Sequence, residues 1–174
     1  MRATWAPKGQ TPVIRHHFNW KKVNVIGTIA CKPNGSKSRI LLHTQPESVD
    51  FNSIIWFLDA LHKEIPGKVV LLWDGLPAHR SNVVKDHIEK NKDWLQVERF
   101  PAYAPELNPL EYLWSTLKGK DVANFCSDTI SDIEQNLHDA AHRIQTESGI
   151  IEGFLKASTL YDDSTLVTTK GKDQ

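Results

Sequence analysis

Residues 68–74 read KVVLLWD, and this stretch decides the fold. Unbroken apolar residues without polar alternation mark a strand covered on both faces, the habit of parallel sheets. Pro66-Gly67 stops a helix just before it. That helix, about 50–65, sets Phe51, Ile54, Ile55, Leu58, Leu61 and Ile65 at helical spacing. After the strand, Ser81 offers an N-cap for a helix over 81–91. WLQVERF (94–100) then reads as a second short strand. Strand–helix–strand order requires a parallel pair with helices on its faces.

Working outward, VNVIGTIA (23–30) and RILLHTQ (39–45) predict two strands joined through Asn34-Gly35, a tight-hairpin pair. An antiparallel hairpin ahead of parallel strands predicts an α/β fold with a mixed β-sheet flanked by helices. Further helices are expected over 109–119 and 129–147. The last presents Ile130, Ile133, Leu137, Ala141 and Ile144 on one face. We delimit one domain over 1–149 and a C-terminal tail over 150–174, polar and frayed from Thr165 onward.

The length of 174 residues suits one domain. VVLLW is far too short to span a bilayer, and the opening MRATWAPKG lacks the apolar core of a signal peptide. No membrane partner is expected. Cys31 and Cys126 show no CxxC spacing and read as thiols of a reducing compartment. The net charge of zero hides a split. Residues 1–45 hold eight bases and no acid, leaving 13 bases against 21 acids in the remainder. A basic arm of this kind suits a phosphate backbone, whose counterions it releases; edge lysines that block unwanted strand pairing are the bland alternative. Arg2, Lys8, Arg15, Lys21 and Lys22 are the candidate DNA contacts.

Two acids stand out. Asp74 ends the apolar strand, where ligands gather in open α/β sheets, although Asp-Gly is also a good turn pair. Glu111 follows PAYAPELNPL (101–110), a loop that Pro101, Pro105 and Pro109 stiffen. Asn108-Pro109-Leu110-Glu111 also reads as N-cap, N1, N2 and N3, so Glu111 has a capping role to compete with a catalytic one. Two carboxylates from a strand end and a helix start can share a divalent metal in two-metal phosphoryl chemistry. Glu106 is an alternative ligand. His79, five residues after Asp74, is placed to touch a phosphate, orient water or cap a helix. His138 and His142 have zincin-like i, i+4 spacing but no evident third ligand. His16-His17 in the basic arm reads as DNA-facing or structural. Trp5 and Trp20, also in the arm, could stack on bases.

Three blocks carry a resemblance: RATWAPKGQTPVIRHHFNWKKVNVIG, LLWDGLPAHRS and FPAYAPELNPLEYLWSTLK. In this order they resemble the catalytic domain of insertion-sequence transposases of the mariner superfamily, DDE endonucleases with an RNase H-like fold. The resemblance covers roughly residues 2 to 120, and YAPELNPLEYLW is its most specific phrase. It implies two Mg²⁺ or Mn²⁺ ions, with Asp74 matching the second Asp and Glu111 the final acid. It implies DNA cleavage and strand transfer in the bacterial cytoplasm or nucleoid, on double-stranded DNA bearing terminal inverted repeats and on target DNA. The hairpin matches the second and third strands of such a sheet. The first strand and its Asp would precede Met1 and are missing. Asp50 and Asp59 offer no substitute. The expectation is therefore a chain inactive or nearly so alone, with a homodimer or an upstream-encoded N-terminal part as candidate partners, the latter supplying the missing strand. The alternative is a remnant that only binds DNA or a partner transposase.

Overall fold

The computed structural model describes residues 7–10, 22–121 and 129–160. Arg2, Arg15 and Lys21, like Trp5, Trp20, His16, His17 and Cys126, lie outside the described residues.

The hairpin comes first, with β1 (Asn24–Ala30) antiparallel to β2 (Arg39–Gln45) and Gly27 opposite Leu42. Residues 31–38 join them in a loop longer than Asn34-Gly35 alone would make. Gly35 adopts φ 74° there, and the Asn34 side chain accepts from the Ser36 N–H at 3.1 Å. Helix α1 (Phe51–Glu64) opens on Asp50, whose carboxylate accepts from the Ser53 N–H in a capping box. It ends at Ile65, ahead of Gly67 at φ 104°. Strand β3 (Val69–Trp73), helix α2 (Asn82–Lys90) and strand β4 (Leu95–Arg99) form the expected parallel unit. Ser81 caps α2 through the Val84 N–H at 3.3 Å. Helix α3 (Pro109–Thr116) continues into a π-helical turn over Leu117–Asp121, and α4 (Ile130–Thr146) follows.

Two findings depart from the sequence reading. First, the strands do not join into one mixed sheet. Among the described residues β1 pairs only with β2, and β3 only with β4. The first strand of an RNase H-like sheet would bridge the two pairs, and none of the described strands stands there. Second, residues 150–157 are not tail. They form helix α5 (Ile150–Ala157), which buries Ile151 and Leu155 in the core. Its eight residues are too few for the 3.6-residue pattern to stand out beside the polar end of the chain.

Helices lie on both faces of the strands. Leu58, Trp73, Val84 and Leu95 pack α1 and α2 onto β3 and β4. Leu113, Leu137, Ile144 and Leu155 form a second cluster of α3, α4 and α5, against Val25, Ile29 and Leu42 of the hairpin. Gln145 of α4 fastens this layer to β2, accepting from the Ile40 N–H at 2.7 Å and donating to the Ser38 carbonyl at 3.1 Å. Tyr112 of α3 donates to the Ala157 carbonyl at 2.9 Å and so ties α3 to the end of α5. No helix among the described residues is long and apolar enough to cross a membrane.

Candidate active site

Asp74 leaves β3 one residue after buried Trp73. Its Oδ1 accepts from the Leu76 N–H at 3.1 Å and lies 3.0 Å from His79 Nδ1. The same Nδ1 is 3.1 Å from the Asp74 carbonyl. Both neighbours are acceptors, so Nδ1 carries the proton. The His79 ring is buried and lies flat on Trp73, with centroids 4.2 Å apart and planes at 3°. The His79 hydrogen bond holds the Asp74 carboxyl below its ordinary range; partial burial opposes this, and the Leu76 N–H reinforces it. Asp74 is therefore both the turn residue and a held, ionised carboxylate. Oδ2 has no hydrogen-bond partner among the described residues.

Glu111 is delivered by the loop before α3. The Asn108 side chain accepts from the Leu110 N–H at 3.1 Å and caps the helix, with Pro109 at N1. The Glu111 N–H goes to the Asn108 carbonyl at 3.0 Å. The Glu111 side chain takes no part in a capping box among the described residues, so the carboxylate is left exposed and unspent. Asp74 and Glu111 line one cavity of about 170 Å³, together with His79, Asn108 and Trp114. The two acids thus meet in one place although they are 37 positions apart in the chain.

Gly27 explains how α3 comes so close. A Cβ there would stand 2.7 Å from Leu42 Cδ2 and 2.8 Å from the ring of Trp114. Only glycine lets Trp114 lie across β1, and Trp114 belongs to the helix that carries Glu111. Asn108 caps α3 as its place before Pro109 predicts. Sequence reasoning missed the Gly27–Trp114 contact and the Trp73–His79 stack; the signal for the first was a lone glycine inside a strand.

The other candidates sit elsewhere. Glu106 lies in a short 3-10 turn over Pro105–Leu107 and does not line the cavity. Asp50 is spent on capping α1, and Asp59 lies 3.2 Å from His87 Nε2. Exposed His138 and His142 gain no third ligand, since among the described residues no three of His, Cys, Asp and Glu come together. Lys8 and Lys22 are exposed.

Residues 1–134 match the family described as DDE superfamily endonuclease. The chain belongs to that family. No curated protein matches it in sequence. Among solved structures, this DDE endonuclease chain resembles the Mos1 transposase paired-end complex with left transposon end, at TM-score 0.62 and 18% identity. That alignment covers 98% of this chain and 51% of the Mos1 chain, so the chain spans about half of that transposase. The Mos1 catalytic domain with raltegravir and Mn aligns at TM-score 0.56 and 16% identity, covering 87% and 84%. The crystal structure of the Mos1 mariner catalytic domain aligns at TM-score 0.55 and 17% identity, covering 80% and 76%. The chain therefore has an RNase H-like fold similar to that of the Mos1 catalytic domain.

Proposed function

We propose that this chain supplies the catalytic fold of a DNA transposase that cleaves and transfers strands at insertion-sequence ends. One observation carries the reading: Asp74 and Glu111 line the same cavity, where among the described residues Asp74 keeps Oδ2 without a hydrogen-bond partner and Glu111 is not drawn into a capping box. Asp74 and Glu111 would hold Mg²⁺ or Mn²⁺, because hard cations prefer oxygen ligands and these acids bring two carboxylates together. Bound there, the metal supplies Lewis-acid activation of a phosphoryl oxygen and of water. The chain's own residues do the positioning. His79 fixes the Asp74 carboxylate and keeps it ionised. Its own contact with a phosphate would fall to the remaining Nε2. Trp114 and Asn108 fix the start of α3 and with it Glu111.

Arg2, Lys8, Arg15, Lys21 and Lys22 neutralise backbone phosphates of terminal repeats and target DNA. The DNA in the Mos1 paired-end complex supports this partner class. A third acid does not join Asp74 and Glu111 among the described residues. A further segment, from a second copy or an upstream-encoded part, completes the set. The protein works in the bacterial cytoplasm or nucleoid.

Gel shifts of end-bearing duplex DNA with and without Mn²⁺ test the proposal. Mn²⁺ should tighten binding, and Asp74→Asn and Glu111→Gln should each abolish that increment while leaving metal-free binding intact. An increment unchanged in both variants would contradict the assignment.

A further inference from the structure

A second cleft, of about 220 Å³, adjoins the cavity that holds Asp74 and Glu111. Trp73 and His79 line both, so their stacked rings are a shared wall. The cleft is further lined by Lys85 of α2 and Arg99 of β4, over Ile88 and Val97. Arg99 is the ladder partner of Trp73, so it stands at the carboxyl end of the parallel pair, where Asp74 also leaves β3. Ligands of open α/β sheets gather at that end. Val97 and Arg99 are two residues apart in β4 and share the face that α2 covers.

The charges of the cleft do not balance. Lys85 and Arg99 are exposed, and neither side chain has a salt bridge or hydrogen bond among the described residues. Glu89 is the one acid of the lining, and its carboxylate is taken by Lys92, three residues on. Two cations thus converge from different elements with no acid left to neutralise them. Over the apolar floor of Ile88 and Val97 they repel each other more than in open water, and an anion between them removes that cost. The shared wall adds a further unspent donor, since the buried Trp73 Nε1–H has no acceptor among the described residues. A buried donor of this kind calls for a reason.

We propose that this cleft is a phosphate subsite: it takes one backbone phosphodiester of the DNA strand that passes Asp74. Its volume of about 220 Å³ is below the ~300–1,000 Å³ of sites that enclose a whole small molecule, so it suits a phosphate group and not a nucleotide cofactor. The planar fork of Arg99 matches two phosphate oxygens at once, and Lys85 adds a mobile point charge. The Trp73–His79 wall keeps this phosphate apart from the one at the carboxylates. The subsite therefore sets the path and register of the strand and takes no part in bond breaking. The proposal rests on the DNA reading above and not on the metal assignment, since neither Asp74 nor Glu111 lines the cleft.

The salt dependence of DNA binding tests it on the full chain without metal. The probe is a fluorescein-labelled duplex of mixed sequence, followed by anisotropy over a range of salt. Lys85→Ala combined with Arg99→Ala should lower the slope of log affinity against log salt by about 0.9, the share of one phosphate. Lys85→Arg combined with Arg99→Lys keeps both charges and should keep the parental slope. Lys90→Ala, on the same helix but outside the cleft, should keep it too. In nitrogen-15 spectra the Arg99 Nε–H signal should shift as duplex is added. A parental slope in the alanine pair, an equal loss in Lys90→Ala, or an unmoved Arg99 signal would overturn the subsite. A parent chain that binds no duplex would overturn it together with the DNA reading. A parent chain that binds duplex no more tightly with Mn²⁺ would sink the metal assignment alone, and the metal-free slopes would still decide the subsite.

Discussion

Gly27→Ala is a small change with a calculable cost. The added methyl would stand 2.7 Å from Leu42 Cδ2 and 2.8 and 3.1 Å from two ring carbons of Trp114. The Leu42 methyl is the end of a flexible side chain and can turn away. The Trp114 indole is rigid and meets the methyl at two atoms, so α3 must shift. Overpacking of this kind costs ~1–3 kcal/mol, and replacing a strand glycine by alanine returns ~0.5–1 kcal/mol of chain entropy. The net expectation is a destabilisation of about 0–2.5 kcal/mol, centred on ~1 kcal/mol. Urea unfolding reads it directly: with m of ~2 kcal/mol/M, each kcal/mol lowers the midpoint by about 0.5 M. Trp114→Leu removes the obstructing ring, so Gly27→Ala should cost much less in that background, a coupling that a double-mutant cycle isolates. A Gly27→Ala chain more stable than the parent, or one whose change is the same in the Trp114→Leu background, would refute the packing of Trp114 on β1. The placement of Glu111 that rests on it would fall too.

Other expectations follow from the same contacts. The Asp74 carboxyl should titrate below its ordinary 3.8, and His79→Ala should bring it back toward that value; carbon-detected NMR reads both. Because the folded value is depressed, the stability it contributes is present above 3.8 and lost as pH falls through the lowered value. An Asp74 midpoint unmoved by His79→Ala would contradict the assigned hydrogen bond. Asn108→Ala removes the cap of α3 and should cost ~1 kcal/mol in thermal or urea unfolding, with an unchanged midpoint as the contrary result. Replacing Lys8 and Lys22 together by Ala should reduce the slope of log affinity against log salt by about 1.8 for duplex DNA. Parallel salt plots for parent and variant would remove both lysines from the interface.

The local elements were legible because their signals are local. The apolar run around Leu71, the Asn108-Pro109 helix start and the Ser81 cap each lie within a few residues, and each element formed close to its expected bounds. The division of the strands was not legible, because pairing depends on which edges meet in space, and periodicity does not report that. Helix α5 was missed because its apolar pattern spans only two turns next to a polar end. At the site, spacing nominated Asp74 and Glu111, but it left open whether each acid was spent on a turn or a cap. Geometry separates the cases: Asn108 does the capping, and Asp74 serves a turn with one oxygen only. The His79 ring lying on Trp73 links residues six apart through a 3-10 turn over Pro77–Arg80, a geometry that no helical or strand period encodes.

The most direct test of the central claim is anomalous diffraction from crystals of the chain soaked in Mn²⁺. A peak within bonding distance of both the Asp74 and Glu111 carboxylates, lost in Asp74→Asn and in Glu111→Gln, is the predicted result. Manganese bound elsewhere, or a peak that survives both substitutions, would contradict a metal site built from these two acids.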